Sequence, residues 1–182
     1  MPANTKTKVV TGVNTRLSYF HGWEAVSAMS GAPEKFSTSV LIPKDDTETI
    51  KAIEEAIDAA VEDGTAKFGG KVRKTMLKLP LHDGDTERDD EAYKGHYYLN
   101  ASSNSAPQIV DRKVKPILDR NEVYSGCYAR VSLNFYPYNA NGVKGIACGL
   151  GNIQKVRDGE PLGGKTNAAD DFATLNDDDF LS

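Results

Sequence analysis

The sequence predicts a mainly β fold with a single α-helix. Three observations carry this: a long hairpin centred on Asn141-Gly142, several shorter stretches of alternating apolar and polar residues, and one segment, 45–64, with apolar residues at helical spacing. Asn-Gly is the strongest short hairpin signal, because a type I′ turn needs positive φ at both central residues. With the turn there, Ala140 pairs with Val143, Tyr138 with Gly145, Tyr136 with Ala147, Phe135 with Cys148, Asn134 with Gly149, Leu133 with Leu150 and Ser132 with Gly151. Opposed residues share a face, so the register predicts a core face of Cys127, Ala129, Val131, Leu133, Phe135, Ile146, Cys148 and Leu150. The other face carries Tyr128, Arg130, Ser132, Asn134, Tyr136 and Tyr138 beside a row of Gly and Ala.

That second face departs from an ordinary solvent face of Lys, Glu and Thr. Glycine inside a strand often marks close approach by a ligand or another backbone. Aromatic rings with arginine on an open sheet face suit the stacking of unpaired bases. A second packed layer over the tyrosines is the alternative.

The other elements follow in order. Residues 8–19 alternate as a strand with a weak point at Gly12, ended by Phe20-His21-Gly22-Trp23. Trp23, the only tryptophan, suits either a core anchor or a stacking platform. After a loop at 24–34, residues 35–43 form a second strand that Pro43 stops. Asp45-Asp46-Thr47-Glu48 starts the helix, Ile50, Ile53, Ile57 and Ala60/Val61 form its apolar stripe, and Gly64 ends it. Its outward face is acidic and should turn away from nucleic acid. Residues 65–91 are loop-rich: Lys67, Lys71, Arg73, Lys74 and Lys78 surround Gly69-Gly70 as a mobile phosphate-contacting arm or a solvated loop, and six acids then surround one Arg. Residues 96–101 and 108–110 read as short strands, followed by Arg112, Lys113, Lys115 and Arg120 in a turn-rich segment. Residues 158–182 have the composition of a disordered tail.

The chain of 182 residues fits one domain with tails. No stretch approaches the ~18 apolar residues of a membrane helix, and MPANTKTKVV lacks the apolar core of a signal peptide. Cys127 and Cys148 lie about 26 Å apart along the hairpin at ~3.3 Å per residue, too far for a disulfide within it, so both read as reduced core residues of a cytoplasmic protein. The net charge of −4 hides a partition. Residues 1–165 hold all 22 basic residues and 21 of the 26 acids; without 45–63, which carries eight acids and Lys51, the remainder has 21 basic against 13 acidic residues, a net of +8. A basic surface outside the helix is compatible with a polyanion.

Two tempting motifs are set aside. Gly159–Thr166 matches the phosphate-loop pattern G-x-x-x-x-G-K-[ST], but a hairpin strand precedes it and only sixteen residues follow. His82, Asp83, Asp85, Asp89 and Asp90 could suggest a metal-dependent nuclease, yet no ligand spacing is present and Asp-Gly marks a turn. No cofactor is expected.

RLSYFHGWE (16–24), KFSTSVLIPK (35–44), KFGGK (67–71), LPLHDGD (79–85), PQIVDR (107–112), YSGCYARVSLNFYPYN (124–139), KGIACGLGNIQK (144–155) and DGEPLGGKT–DDF (158–172) resemble, in order and over residues 8–172, one bacteriophage and prophage family of single-stranded DNA-binding proteins, formerly a domain of unknown function. The resemblance implies an OB-fold, related in architecture to the helix-destabilising proteins of tailed phages. It also implies a non-catalytic role: coating single strands in phage replication, recombination and repair, in the bacterial host cytoplasm. The pattern of strands agrees: an OB-fold-like five-stranded Greek-key barrel with long loops over 1–157, and a flexible acidic C-terminal tail over 158–182. Candidates for stacking are Tyr19, Trp23, Tyr98, Tyr128, Tyr136 and Tyr138; candidates for phosphate are Arg16, Lys35, Arg73, Lys74, Arg112, Arg130 and Lys144. Asp177, Asp178, Asp179 and Phe180 resemble the acidic, aromatic-bearing end of bacterial single-strand binders, which implies docking of replication or recombination proteins; separately, the charge of the tethered tail predicts competition for the DNA groove. The expected partners are therefore single-stranded DNA and such proteins, with a homodimer left open. A phage assembly protein with a sticky aromatic sheet is the structural alternative.

Overall fold

The computed structural model describes residues 5–27, 29–162 and 172–176. Its strands are β1 (Lys8–Val10), β2 (Arg16–Ser27), β3 (Glu34–Pro43), β4 (His82–Asp83), β5 (His96–Ser103), β6 (Ile109–Val110), β7 (Tyr128–Ala140) and β8 (Val143–Arg157). Its helices are α1 (Thr47–Asp63), α2 (Thr65–Phe68) and α3 (Gly84–Glu87), the last two single turns. Five strands close on themselves. β2 pairs with β3 and β3 with β5; β5 meets β8 in parallel at Ser102 and Gly149; β8 pairs with β7, and β7 returns to β2 at Tyr128 and Arg16. This is the closure of an OB-like barrel. The short strands β1, β4 and β6 extend it alongside β7, β5 and β8 respectively.

The hairpin forms as its sequence dictates. Asn141 and Gly142 take φ of 53° and 85°, and the pairing from Ala140–Val143 to Leu133–Leu150 follows the predicted register. All eight residues of the expected core face are buried. The register then slips by one residue, so that Val131 faces Ile153. Ser132 absorbs the slip: its Oγ accepts the Asn152 amide at 2.7 Å, so it faces Gly151 and Asn152 together.

Two expectations about the N-terminal strands are corrected. The stretch 8–19 is not one strand. It breaks after Val10, where the Gly12 amide donates to Thr49 Oγ1 at 3.1 Å and ties the break to the start of α1. The aromatic cluster at 20–23 does not end a strand either. β2 runs on to Ser27 through two register shifts, the first of which places Tyr19 at φ 46°.

α1 starts at Asp46, whose carboxylate accepts the Thr49 amide at 3.2 Å. Thr49, Ile53, Ala56, Ile57 and Ala60 form its buried stripe and join the barrel core around Leu17, Val40, Leu99, Leu133 and Phe135. Gly64 caps the helix at φ −84°, and the left-handed stop comes five residues later, at Gly69 with φ 80°. A second, smaller core lies on the outer face of β3 and β5, where Leu41, Tyr93 and Tyr98 are buried together.

The expected tail boundary at 158 also moves. Arg16 donates to the Glu160 carbonyl, Tyr124 bonds Asp158 and Gly159, and the Leu162 amide donates to Ser125 O at 2.9 Å. Residues 158–162 are therefore a strap against the barrel. The acids Asp177, Asp178 and Asp179 and Phe180 lie outside the described residues.

Candidate nucleic-acid interface

Three adjoining clefts run along the outer face of β7 and β8. The first, about 390 Å³, lies between Lys8, Lys35, Ser102, Asn134, Tyr136 and Gly149. The second, about 650 Å³, lies between Lys78, His82, Asn100, Ser102, Tyr138 and Ala147, and shares Ser102 with the first. The third, about 240 Å³, includes Val10, Val110, Val114, Arg130 and Gln154, and shares Lys8, Ser132 and Asn152 with the first. Together they make one track from Lys78 to Val114. Among the described residues, no carboxylate lines any of the three, whereas Lys8, Lys35, Lys78 and Arg130 do. Among the described residues, a track with four cations and no acid is complementary to negative charge.

The hairpin's sequence positions the rings. Tyr136 is 40 % exposed, and a Cβ on Gly149 would stand 3.6 Å from its Cε1. Tyr138 folds down on Gly145, where a Cβ would come within 2.7 Å of the hydroxyl and 2.6 Å of the Lys78 carbonyl. The glycine row therefore seats rings rather than leaving empty floor. Of the thirteen expected DNA contacts, Lys35, Arg130, Tyr136 and Tyr138 line the track. Arg130 Nε donates to the Thr11 carbonyl at 3.1 Å, which fixes its stem against the chain break after β1. Arg112 is exposed on the turn that carries Val114, and Gln154 donates to its carbonyl at 3.3 Å. Lys144 lies on β8 next to Gly145, with its Nζ donating to the Phe68 carbonyl at 2.7 Å.

The remaining candidates sit elsewhere. Arg16, Trp23 and Tyr128 belong to a second aromatic region, the shelf on which residues 158–162 rest. Arg16 Nε donates to Gly126 O at 3.0 Å and Nη2 to Glu160 O at 2.6 Å, so its fork is spent on backbone. Tyr128 lies under Arg157 at 4.0 Å and Arg16 at 5.6 Å. Trp23 is half-buried, edge-on to Phe20, with its indole N–H donating to Val123 O at 3.0 Å. Beside it, Lys155 Nζ at 2.6 Å and the Tyr124 hydroxyl at 3.1 Å hold the Asp158 carboxyl below the usual carboxylate range. Tyr19 is 57 % exposed, and its hydroxyl accepts from Arg88 at 3.2 Å. Tyr98 is corrected outright. It is 7 % exposed, edge-on to Tyr93 at 5.0 Å and beside His82 at 5.3 Å, and burial pushes its hydroxyl pKa up.

The basic run is bonded to the body rather than a mobile arm. Lys74 pairs with Asp58 of α1 at 2.7 Å, Asn139 donates to Lys67 O at 3.0 Å, and Lys78 exchanges backbone hydrogen bonds with Lys144 and Ile146. Arg73 is exposed. Two carboxylates of the acidic turn share one lysine just past the end of β3: Lys44 Nζ lies 2.8 Å from Asp83 and 2.7 Å from Asp85, and its hydrogen bonds hold both carboxyls below their ordinary range. Among the described residues, no group of three His, Cys, Asp or Glu side chains is placed to hold a metal ion. The phosphate-loop match lies partly outside the described residues; within them, Gly159 donates to the Tyr124 hydroxyl. Sequence reasoning missed Lys8, Asn100, Ser102 and Asn152. Lys8 and Ser102 become part of the site only when β1 and β5 come to lie beside the hairpin.

No helix among the described residues is long and apolar enough to cross a membrane. Comparison with known proteins gives a consistent picture. A family model for the ssDNA-binding protein of Enterobacter phage Enc34 matches residues 7–181. Protein p50 of the Acyrthosiphon pisum secondary endosymbiont phage 1 is 31% identical over 173 residues, 90% of this chain and 91% of that protein. Among solved structures, the single-stranded DNA-binding protein of bacteriophage Enc34 in complex with ssDNA aligns with a TM-score of 0.75 at 24% identity, covering 86% of this chain and 90% of that one. Gp2.5, a single-stranded DNA-binding protein of bacteriophage T7, aligns with a TM-score of 0.56 at 18% identity, over 93% and 96% of the two chains. The two structural likenesses support the OB-like fold, and the family match and the phage relative establish membership: the chain belongs to the Enc34 phage family of ssDNA-binding proteins.

Proposed function

We propose that this protein binds single-stranded DNA along the track on β7 and β8, without catalysis and with little sequence preference, and coats it during phage DNA replication, recombination and repair in the host cytoplasm. The observation that carries the reading is the coincidence of exposed Tyr136 and half-buried Tyr138 with Lys8, Lys35, Lys78 and Arg130 in a groove that, among the described residues, no carboxylate lines. Rings stack bases of any identity, and cations follow the backbone. The outward acids of α1 lie on a different element from the track and are not among its lining residues. Protein partners are assigned to the acidic tail, and a homodimer is compatible with this use of the surface.

The test is a titration with unlabelled oligo-dT, read by tyrosine and tryptophan fluorescence across a salt series. Micromolar or tighter binding is expected, with log affinity falling linearly against log salt by about 0.7 per phosphate neutralised. Flat salt dependence, or no binding to a thirty-mer at low salt, overturns the reading.

A further inference from the structure

One strained residue stands at the end of the track. Residues 109–117 form a tight hairpin: Val110 bridges Pro116, and Ile117 N donates to Ile109 O at 3.0 Å. Asp111 closes its loop. The Asp111 carbonyl accepts Val114 N at 3.0 Å, its amide donates to Lys115 O at 2.9 Å, and its carboxylate accepts the amides of Lys113 and Lys115 at 2.8 and 3.0 Å. This is a three-residue hairpin loop, a β-turn followed by one left-handed residue, a position that glycine normally fills. Here it is Val114, at φ 64°. A β-branched side chain in that region is a true outlier, because the left-handed conformation brings Cβ too close to the following carbonyl oxygen. The strain is not offset by core packing, since Val114 is 68 % exposed.

The surroundings give the side chain a use. Val114 lines the third cleft with Val10, itself 50 % exposed, Val110 and Arg130. Arg112, Lys113 and Lys115 flank it on the turn and have no ion-pair partner among the described residues. Gln154 Nε2, reaching from β8, donates to the Asp111 and Arg112 carbonyls at 3.4 and 3.3 Å, so the turn is tied to the strand that floors the track. An apolar tip flanked by Arg112, Lys113 and Lys115, which outnumber the Asp111 carboxylate of their own turn, matches a nucleotide, with an apolar base face and charged phosphates on either side.

We propose that Val114 is an apolar finger that packs against a base of the bound single strand at the β6 end of the track, while Arg112, Lys113 and Lys115 hold the flanking phosphates. Apolar side chains act in this way where proteins part stacked bases. The inference rests on the proposed function and adds a residue and an end-point to it.

The test uses the full-length protein with Val114→Gly, Val114→Asn and the triple variant Arg112→Ala/Lys113→Ala/Lys115→Ala, titrated with an oligo-dT thirty-mer over a salt series. Glycine and asparagine both accept φ 64°, so the melting temperature should stay level or rise. Each should nevertheless weaken binding by about three- to tenfold at every salt concentration, with an unchanged salt slope. The triple variant should instead flatten the slope, by about 0.7 for each cation removed from a phosphate. Wild-type affinity in Val114→Gly or Val114→Asn overturns the finger. So does a loss of affinity accompanied by a flatter slope, because the cations rather than the valine would then have moved. A wild-type protein that fails to bind the thirty-mer overturns the proposed function itself, a result distinct from either.

Discussion

The track and the shelf are both rich in tyrosine and arginine, yet their side chains are committed in opposite ways. On the shelf the main polar handles are used internally. Trp23 donates to Val123, Arg16 binds two backbone carbonyls, Tyr124 binds the strap, and Tyr128 lies under two guanidiniums. On the track the rings rest on glycine-bearing backbone, with cations that line a groove in which no described residue places a carboxylate. Aromatic residues beside arginine are therefore not in themselves a binding surface. What separates the two regions is how far the hydrogen-bonding and cationic groups are already committed. Among the described residues, Arg130 is the one lining cation of the track whose side chain is bonded within the protein, through Nε to the Thr11 carbonyl, whereas Arg16 spends two donors on backbone.

The sharpest test of that distinction exchanges damage between the regions. Tyr136→Ala with Tyr138→Ala should cost roughly 1–3 kcal/mol of binding for each stacked base lost, about fivefold to a hundredfold per ring, with little change in melting temperature. Tyr128→Ala and Arg16→Ala should do the reverse. Each removes contacts that hold the strap, of roughly 1 kcal/mol per hydrogen bond or cation–π pair, so thermal stability should fall while oligo-dT affinity holds. Loss of DNA binding without loss of stability in Arg16→Ala would make the shelf part of the interface and erase the contrast.

A finer test stays within the track. A Cβ on Gly149 would meet Asn134 O at 3.4 Å and the Tyr136 ring at 3.6 Å, both ordinary contacts. Gly149→Ala should fold normally and weaken binding modestly, by raising the floor under Tyr136. On Gly151 the same atom would fall 2.3 Å from Ser132 Oγ and 2.8 Å from its carbonyl, at the register slip. Gly151→Ala should therefore lower the melting temperature. Equal stabilities for the two variants would show that the slip at Ser132 is not a fixed feature of the hairpin.

The hairpin was legible because it is local. One Asn-Gly pair sets the register, and alternation sets the faces, so Tyr136, Tyr138, Arg130 and the core partners follow without knowledge of the rest of the chain. The helix was legible through its spacing and its cap at Asp46. What could not be read depended on residues distant in sequence. Tyr98 looked like Tyr136 until residues 84–95 were seen to fold over it, with the Tyr93 hydroxyl donating to Ser39 at 3.0 Å. Arg16 looked available until the strap crossed it from 144 residues away. Lys8 and Ser102 carry no local signal at all, because strand pairing alone brings them to the groove.

The acidic turn, which adjoins the track at His82 without its Asp83 or Asp85 lining it, gives a pH-dependent test. Lys44 lowers the pKa of both Asp83 and Asp85. A carboxyl with a depressed folded pKa contributes stability that is present above its ordinary value of 3.8 and lost as pH falls below it. Lys44→Gln should therefore reduce stability slightly at neutral pH and flatten its fall under acid. Oligo-dT affinity at neutral pH should be unchanged, because none of the three residues lines the track. A drop in affinity would extend the interface to the acidic turn.

The smallest effect at physiological salt should come from the C-terminal segment, and it asks whether the two regions communicate. Beyond Leu162, where the strap bonds Ser125 on the shelf, the chain carries Asp170, Asp171, Asp177, Asp178 and Asp179 against Lys165 alone. Twenty residues can extend about 66 Å at ~3.3 Å each, enough to reach any part of the barrel. A tethered segment of this charge meets the track at an effective concentration of order millimolar, so weak attraction suffices for competition with DNA. A protein ending at Leu162 should bind oligo-dT more tightly than the full chain, most clearly at low salt, where screening is weak. It should also gain measurable binding to duplex DNA, since an unblocked groove would hold phosphates of either form. Titrations of both proteins at low and physiological salt decide the point. Equal affinities at both would mean that the segment leaving the shelf never visits the track, and its acids would then serve solubility or a protein partner alone.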